Sequence, residues 1–151
     1  MTVLFALHFA FSLNLRSFYS WRFDSESKTV VQFVHDESRE IRLGSNYLYM
    51  QSLSFYRNLL SVEQFHIEQV VDCWEYDLNL EELDPYYFGA GESSKTTLTY
   101  EDGMKIASSN MDYYYLHQFV VDELVRLNFK VKVIAHYDNA RSSLITLSAP
   151  H

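Results

Sequence analysis

The chain has 151 residues, 48% hydrophobic and 21% charged, which fits one packed domain and excludes a disordered or fibrous chain. Twelve basic against twenty acidic side chains leave a formal charge of −8, so electrostatic attraction to DNA, RNA or an anionic membrane is not its source of affinity. The lone cysteine, Cys73, makes no internal disulfide and is too few for a thiolate zinc cluster.

Residues 1–13, MTVLFALHFAFSL, form a continuous apolar run. It is shorter than the ~20 residues that a membrane span needs. No Lys or Arg precedes it and no small-residue cleavage site follows, so it does not read as a signal peptide. The expectation is a strand buried on both faces, in a cytoplasmic protein. Residues 18–23 and 29–35 are rich in aromatic and β-branched side chains and flank the turn-forming 24–27, the pattern of a hairpin. Residues 40–43 read as a short strand ended by Gly44. Ser45 or Asn46 then caps a helix on which Tyr49, Leu53, Tyr56 and Leu60 recur at three- and four-residue spacing. A second short helix is expected from Ser61, which with Gln64 has capping-box spacing.

From Trp74 the pattern becomes strict alternation. Trp74, Tyr76, Leu78 and Leu80 fall on one face, and Glu75, Asp77, Asn79 and Glu81 on the other, as in a half-exposed strand near a sheet edge. Residues 83–96 read as a long loop and 97–100 as a short strand. Asn110 is expected to cap a helix over 111–127 with the stripe Tyr113, Leu116, Val120, Leu124 and Leu127. A strand over 129–137, a turn over 138–141 and a return strand over 143–148 complete the chain. These elements predict a single α+β domain, a mostly antiparallel sheet with two or three helices packed on one face.

Within the loop, Gly89-Ala-Gly-Glu-Ser-Ser-Lys-Thr96 resembles the phosphate loop of heterotrimeric G-protein α subunits over eight residues. The resemblance implies phosphate binding. Ser94 stands where the pattern G-x-x-x-x-G-K-[ST] has its second glycine, and that glycine lets backbone amides wrap the phosphates closely. Residues 86–88 make a poor buried strand and 96–100 a poor helix start, so the segment reads as a loop and no nucleotide or other cofactor is expected.

The histidines carry no metal signature. His66 and Glu68 share the His-x-Glu spacing of zinc deaminases but lack the Pro-Cys-x-x-Cys partner. His35, Asp36 and Glu37 read as a solvated turn, and His117 as a residue bordering the core. Whether His8, His66 and His117 converge in space is left open. Cys73, beside an expected strand, reads as a buried structural thiol. Glu81 with Glu82, and Asp122 with Glu123, are adjacent pairs whose side chains diverge, so neither forms an acid/base dyad. No catalytic residue is assigned, and the reading favours a protein that is not an enzyme. Eleven Phe, twelve Tyr and two Trp supply ample core material. Because each buried tyrosine hydroxyl needs a partner, Tyr86, Tyr87 and Tyr114 are expected at the surface.

Charge along the chain gives the functional expectation. Between Arg57 and Lys95 there is no Lys or Arg, and the interval holds nine acids; the rest of the chain has eleven acids and twelve bases. A clustered field of this kind recruits basic partners, and tyrosine beside carboxylates offers contact area at little entropic cost. The expected function is therefore an acidic binding or inhibitor protein, immunity-type or nucleic-acid-mimicking, that captures a basic protein partner through Glu75, Asp77, Glu81, Glu82, Asp84, Tyr86 and Tyr87. The alternative is a small-ligand or nucleotide-binding protein, or a small enzyme, with a pocket lined by Tyr and His.

Overall fold

The computed structural model describes residues 26–37, 39–71 and 97–150. Val30, Val31 and Val34 share one side of a 3.6-residue period, and they are buried from helix α1 (Ser27–His35). Strand β1 (Ile41–Asn46) runs without a loop into α2 (Tyr47–Leu59), which buries Tyr49 and Leu53. Strand β2 (Phe65–Val71) follows, then α3 (Tyr100–Ser108), β3 (Tyr113–His117), α4 (Gln118–Arg126), β4 (Lys130–Tyr137) and β5 (Ser142–Ser148).

The five strands form one mixed sheet in the order β2-β1-β3-β5-β4. β1 is parallel to β2 and β3, while β5 is antiparallel to β3 and β4. Side chains alternate across the sheet, and two cores result. Ile41, Leu43, Tyr115 and Leu144 join Val30, Val31 and Val34 of α1 and Tyr49 and Leu53 of α2. Tyr114, Leu116 and Ile145 join Ile106 of α3 and Val120, Val121 and Leu124 of α4. Since Tyr114 and Tyr115 are consecutive in β3, the two cores lie on opposite faces of the sheet. Gly44 is needed for the second core to close, because a Cβ there would stand 2.9 Å from Tyr114 Cδ1 and 3.0 Å from Val70 Cγ1.

The α+β class agrees with expectation, and so do α2 with Asn46 at its N-cap and the β4–β5 hairpin. Other readings are corrected. The sheet is mixed, and its helices cover both faces instead of one. Residues 29–35 are helical, since a strand would place Val30 and Val31 on opposite faces while one core takes both. Gly44 lies inside β1 and does not end it. No helix starts at Ser61; its φ of 52° turns the chain into β2. Residues 97–100 lead into α3, whose N-cap Thr99 accepts from the backbone N–H of Asp102 while Asp102 accepts from that of Thr99. The expected helix over 111–127 is instead β3 followed by α4. Asn110, at φ 54°, turns into three tyrosines that favour a strand, and the helix starts only at Gln118. Tyr114, expected at the surface, is buried because its hydroxyl donates to the Ile106 carbonyl at 3.1 Å. The strands read over 1–13, 18–23 and 74–81, the loop with Gly89 and Lys95, and Cys73 lie outside the described residues.

Candidate functional site

In an open sheet with parallel strands, ligands bind outside the carboxyl ends of neighbouring strands whose connections leave to opposite faces. Here those strands are β1, which leads to α2 on one face, and β3, which leads to α4 on the other. Their carboxyl ends, and the amino end of antiparallel β5 beside them, carry polar side chains in the interior: Ser45, Asn46 and Ser142 are fully buried, and His117 and Ser143 nearly so. The His117 backbone N–H donates to Asn46 Oδ1 at 3.2 Å, the Ser45 hydroxyl donates to the Tyr115 carbonyl at 2.9 Å, and Ser142 Oγ donates to the Tyr115 hydroxyl at 2.8 Å. These bonds offset the cost of desolvating the groups. Among the described residues no buried side-chain nitrogen or oxygen lacks a hydrogen bond.

His117 caps α4. Its Nδ1 accepts the Phe119 backbone N–H at 3.3 Å, which places the ring proton of the neutral imidazole on Nε2. Burial pushes its pKa down to about 4, and the negative charge of Asp122 only partly opposes this. At neutral pH it is therefore an uncharged structural cap.

A second chain of polar groups crosses the hairpin. His136 and Ser143 are directly opposed in the β4–β5 register. His136 Nδ1 lies 2.8 Å from Ser143 Oγ, and His136 Nε2 lies 2.9 Å from Asp138 Oδ1. Serine, histidine and aspartate in sequence invite comparison with a nucleophile, its base and an orienting acid. The hydrogen bonds run the other way. Ser143 Oγ donates to Gln118 Oε1 at 2.7 Å, and Gln118 Nε2 donates to Asp122 Oδ1 at 2.7 Å. With the serine proton committed to Gln118, His136 is left to donate to Ser143 and cannot accept that proton. Ser143 is also only 1% exposed. The chain ties the hairpin to the first turn of α4 and is not an acyl-transfer site. Sequence reasoning passed over His136, Gln118 and Ser143. The signal was present, because a turn over 138–141 fixes a register in which residues 136 and 143 face each other.

At the opposite end of the sheet, carboxylates and guanidinium groups interlock. Arg39 contacts Asp112 at 2.5 Å, the Arg42 backbone N–H donates to Asp112 at 2.9 Å, and Arg42 pairs with Glu68 at 2.7 Å. Burial alone raises the Asp112 pKa, but the Arg39 and Arg42 hydrogen bonds outweigh it and hold the carboxyl below its ordinary range. His66 Nε2 lies 2.8 Å from Glu40 Oε1. Two open depressions of about 320 and 450 Å³ lie nearby and share Ser61, Val62 and Glu63. His35 and Glu37, read as a solvated turn, lie at the end of α1, where both line the first depression. His66 lines the second.

His66 and His117 do not converge. His66 is level with Arg42 near the amino end of parallel β1, whereas His117 lies two residues past Tyr115, which is level with Ser45 near its carboxyl end. His8 lies outside the described residues, as do Glu75, Asp77, Glu81, Glu82, Asp84, Tyr86 and Tyr87. Among the described residues no group of three or more His, Cys, Asp or Glu side chains could hold a metal ion, and no helix is long and apolar enough to cross a membrane. No family model, curated protein or solved structure matches the chain.

Proposed function

We propose that this is a non-enzymatic acidic binding protein whose base-free interval captures a basic surface of a protein partner. The carrying observation is the charge map: nine acids and no Lys or Arg between Arg57 and Lys95. Geometry supports this reading from the other side. Arg39, Lys105 and Arg126 each pair with an acid outside the interval, at Asp112, Asp102 and Glu123, while Arg42 takes one acid of the interval, Glu68. Three bases are thus engaged away from the interval, which favours an external source of countercharge for the rest of its acids. Among the described residues, the closed hydrogen bonding at the strand carboxyl ends also offers a small ligand no buried polar side chain in need of a partner.

The test is an equilibrium titration of octalysine into the full chain. The comparison variant carries Glu75→Gln, Asp77→Asn, Glu81→Gln, Glu82→Gln and Asp84→Asn, with Tyr86→Ala and Tyr87→Ala tested separately. Loss of octalysine binding in the five-site variant, with the unfolding midpoint unchanged, is expected. Undiminished binding would remove the proposal.

A further inference from the structure

Among the described residues strand β4 ends the sheet, and its amino half presents two different faces. Register with β5 sets Lys130 opposite Ser148 and Lys132 opposite Thr146, while Val131 faces Leu147 and Val133 faces Ile145. A period of two therefore places both lysines on one face and both valines on the other. Lys130 and Lys132 are exposed and form no ion pair among the described residues. Val133 is 51% and Ile134 37% exposed. The register slips between Val133 and Ala135, so the regular stretch of edge is 130–133.

An edge strand carries outward N–H and C=O groups that only another extended backbone satisfies in series. Like charges directly opposite one another destabilise a strand pair, and opposite charges stabilise it. Lysines on this edge thus disfavour pairing with a basic strand and favour an acidic one. The valines on the other face ask for apolar neighbours.

We propose that the outer edge of β4 accepts an extended segment of a partner in which acidic and apolar residues alternate. Its acids lie opposite Lys130 and Lys132, and its apolar side chains lie beside Val131 and Val133. This inference rests on strand register and stands independently of the acidic interval, whose partner is of opposite charge.

The probe is a labelled, end-blocked octapeptide of alternating glutamate and valine, titrated into the full-length protein and followed by fluorescence anisotropy and amide chemical shifts. Saturable binding with shifts centred on β4 is expected. Lys130→Glu combined with Lys132→Glu should weaken it about tenfold and create affinity for the lysine–valine counterpart. With the unaltered protein, N-methylation of one alternate set of peptide amides should abolish binding, and methylation of the other set should not. Absence of saturable binding in the millimolar range would overturn the proposal. So would binding indifferent to both the charge swap and the methylation, or shifts centred away from β4.

Discussion

His117 shows what a single residue contributes when its ionisation is tied to burial. The neutral ring is 6% exposed and caps α4 through Nδ1, so protonation costs both the desolvated environment and the cap. Its pKa is depressed from an ordinary 6.5 to about 4, so the unfolded chain binds this proton more readily than the folded one. The contribution is fully present above pH 6.5 and is lost as pH falls toward 4, amounting to about 3 kcal/mol across that window. Urea unfolding of the protein and of His117→Asn between pH 7 and 4 checks this. Asparagine keeps a capping oxygen, so the variant should show a shallower acid slope over this range. Parallel pH profiles would mean that the imidazole is not held neutral by its surroundings.

Among elements, α4 and β3 show how far the sequence could be read. Leu124 is fully buried within the second core, on the side of the helix that the stripe of Val120 and Leu124 predicts. Leu124→Ala should cost about 2–5 kcal/mol, measured by chemical denaturation, and a near-zero change would mean that this face is not buried. The same stripe continues in the sequence back through Leu116 and Tyr113, and there the structure departs from it. A spacing of three suits a helix, yet on the sheet Tyr113 and Leu116 face different cores. Periodicity over so few residues does not separate a strand buried on both faces from a helix. Helix α3 is masked in the sequence because 96–100 is rich in β-favouring residues, although Thr99 and Asp102 form a capping pair. The candidate site was less legible than the core. Asn46 is legible as a cap, but its bond to the His117 backbone joins residues 71 apart in the chain, a contact that local pattern does not encode.

For the whole molecule the governing feature is unequal charge. The chain carries −8, and its acid excess sits in one interval, while ion pairs within the body bind several bases to nearby acids. If that distribution is functional, location should matter more than net charge. The most direct measurement compares two variants that each lose two negative charges, Glu75→Gln with Asp77→Asn, and Glu101→Gln with Asp138→Asn. Stopped-flow association with octalysine at low and moderate ionic strength reads the difference. The account predicts that the first variant associates several-fold more slowly, most strongly at low salt, and that the second stays close to the unaltered protein. Equal slowing in both variants would contradict it, because net charge alone would then explain the attraction.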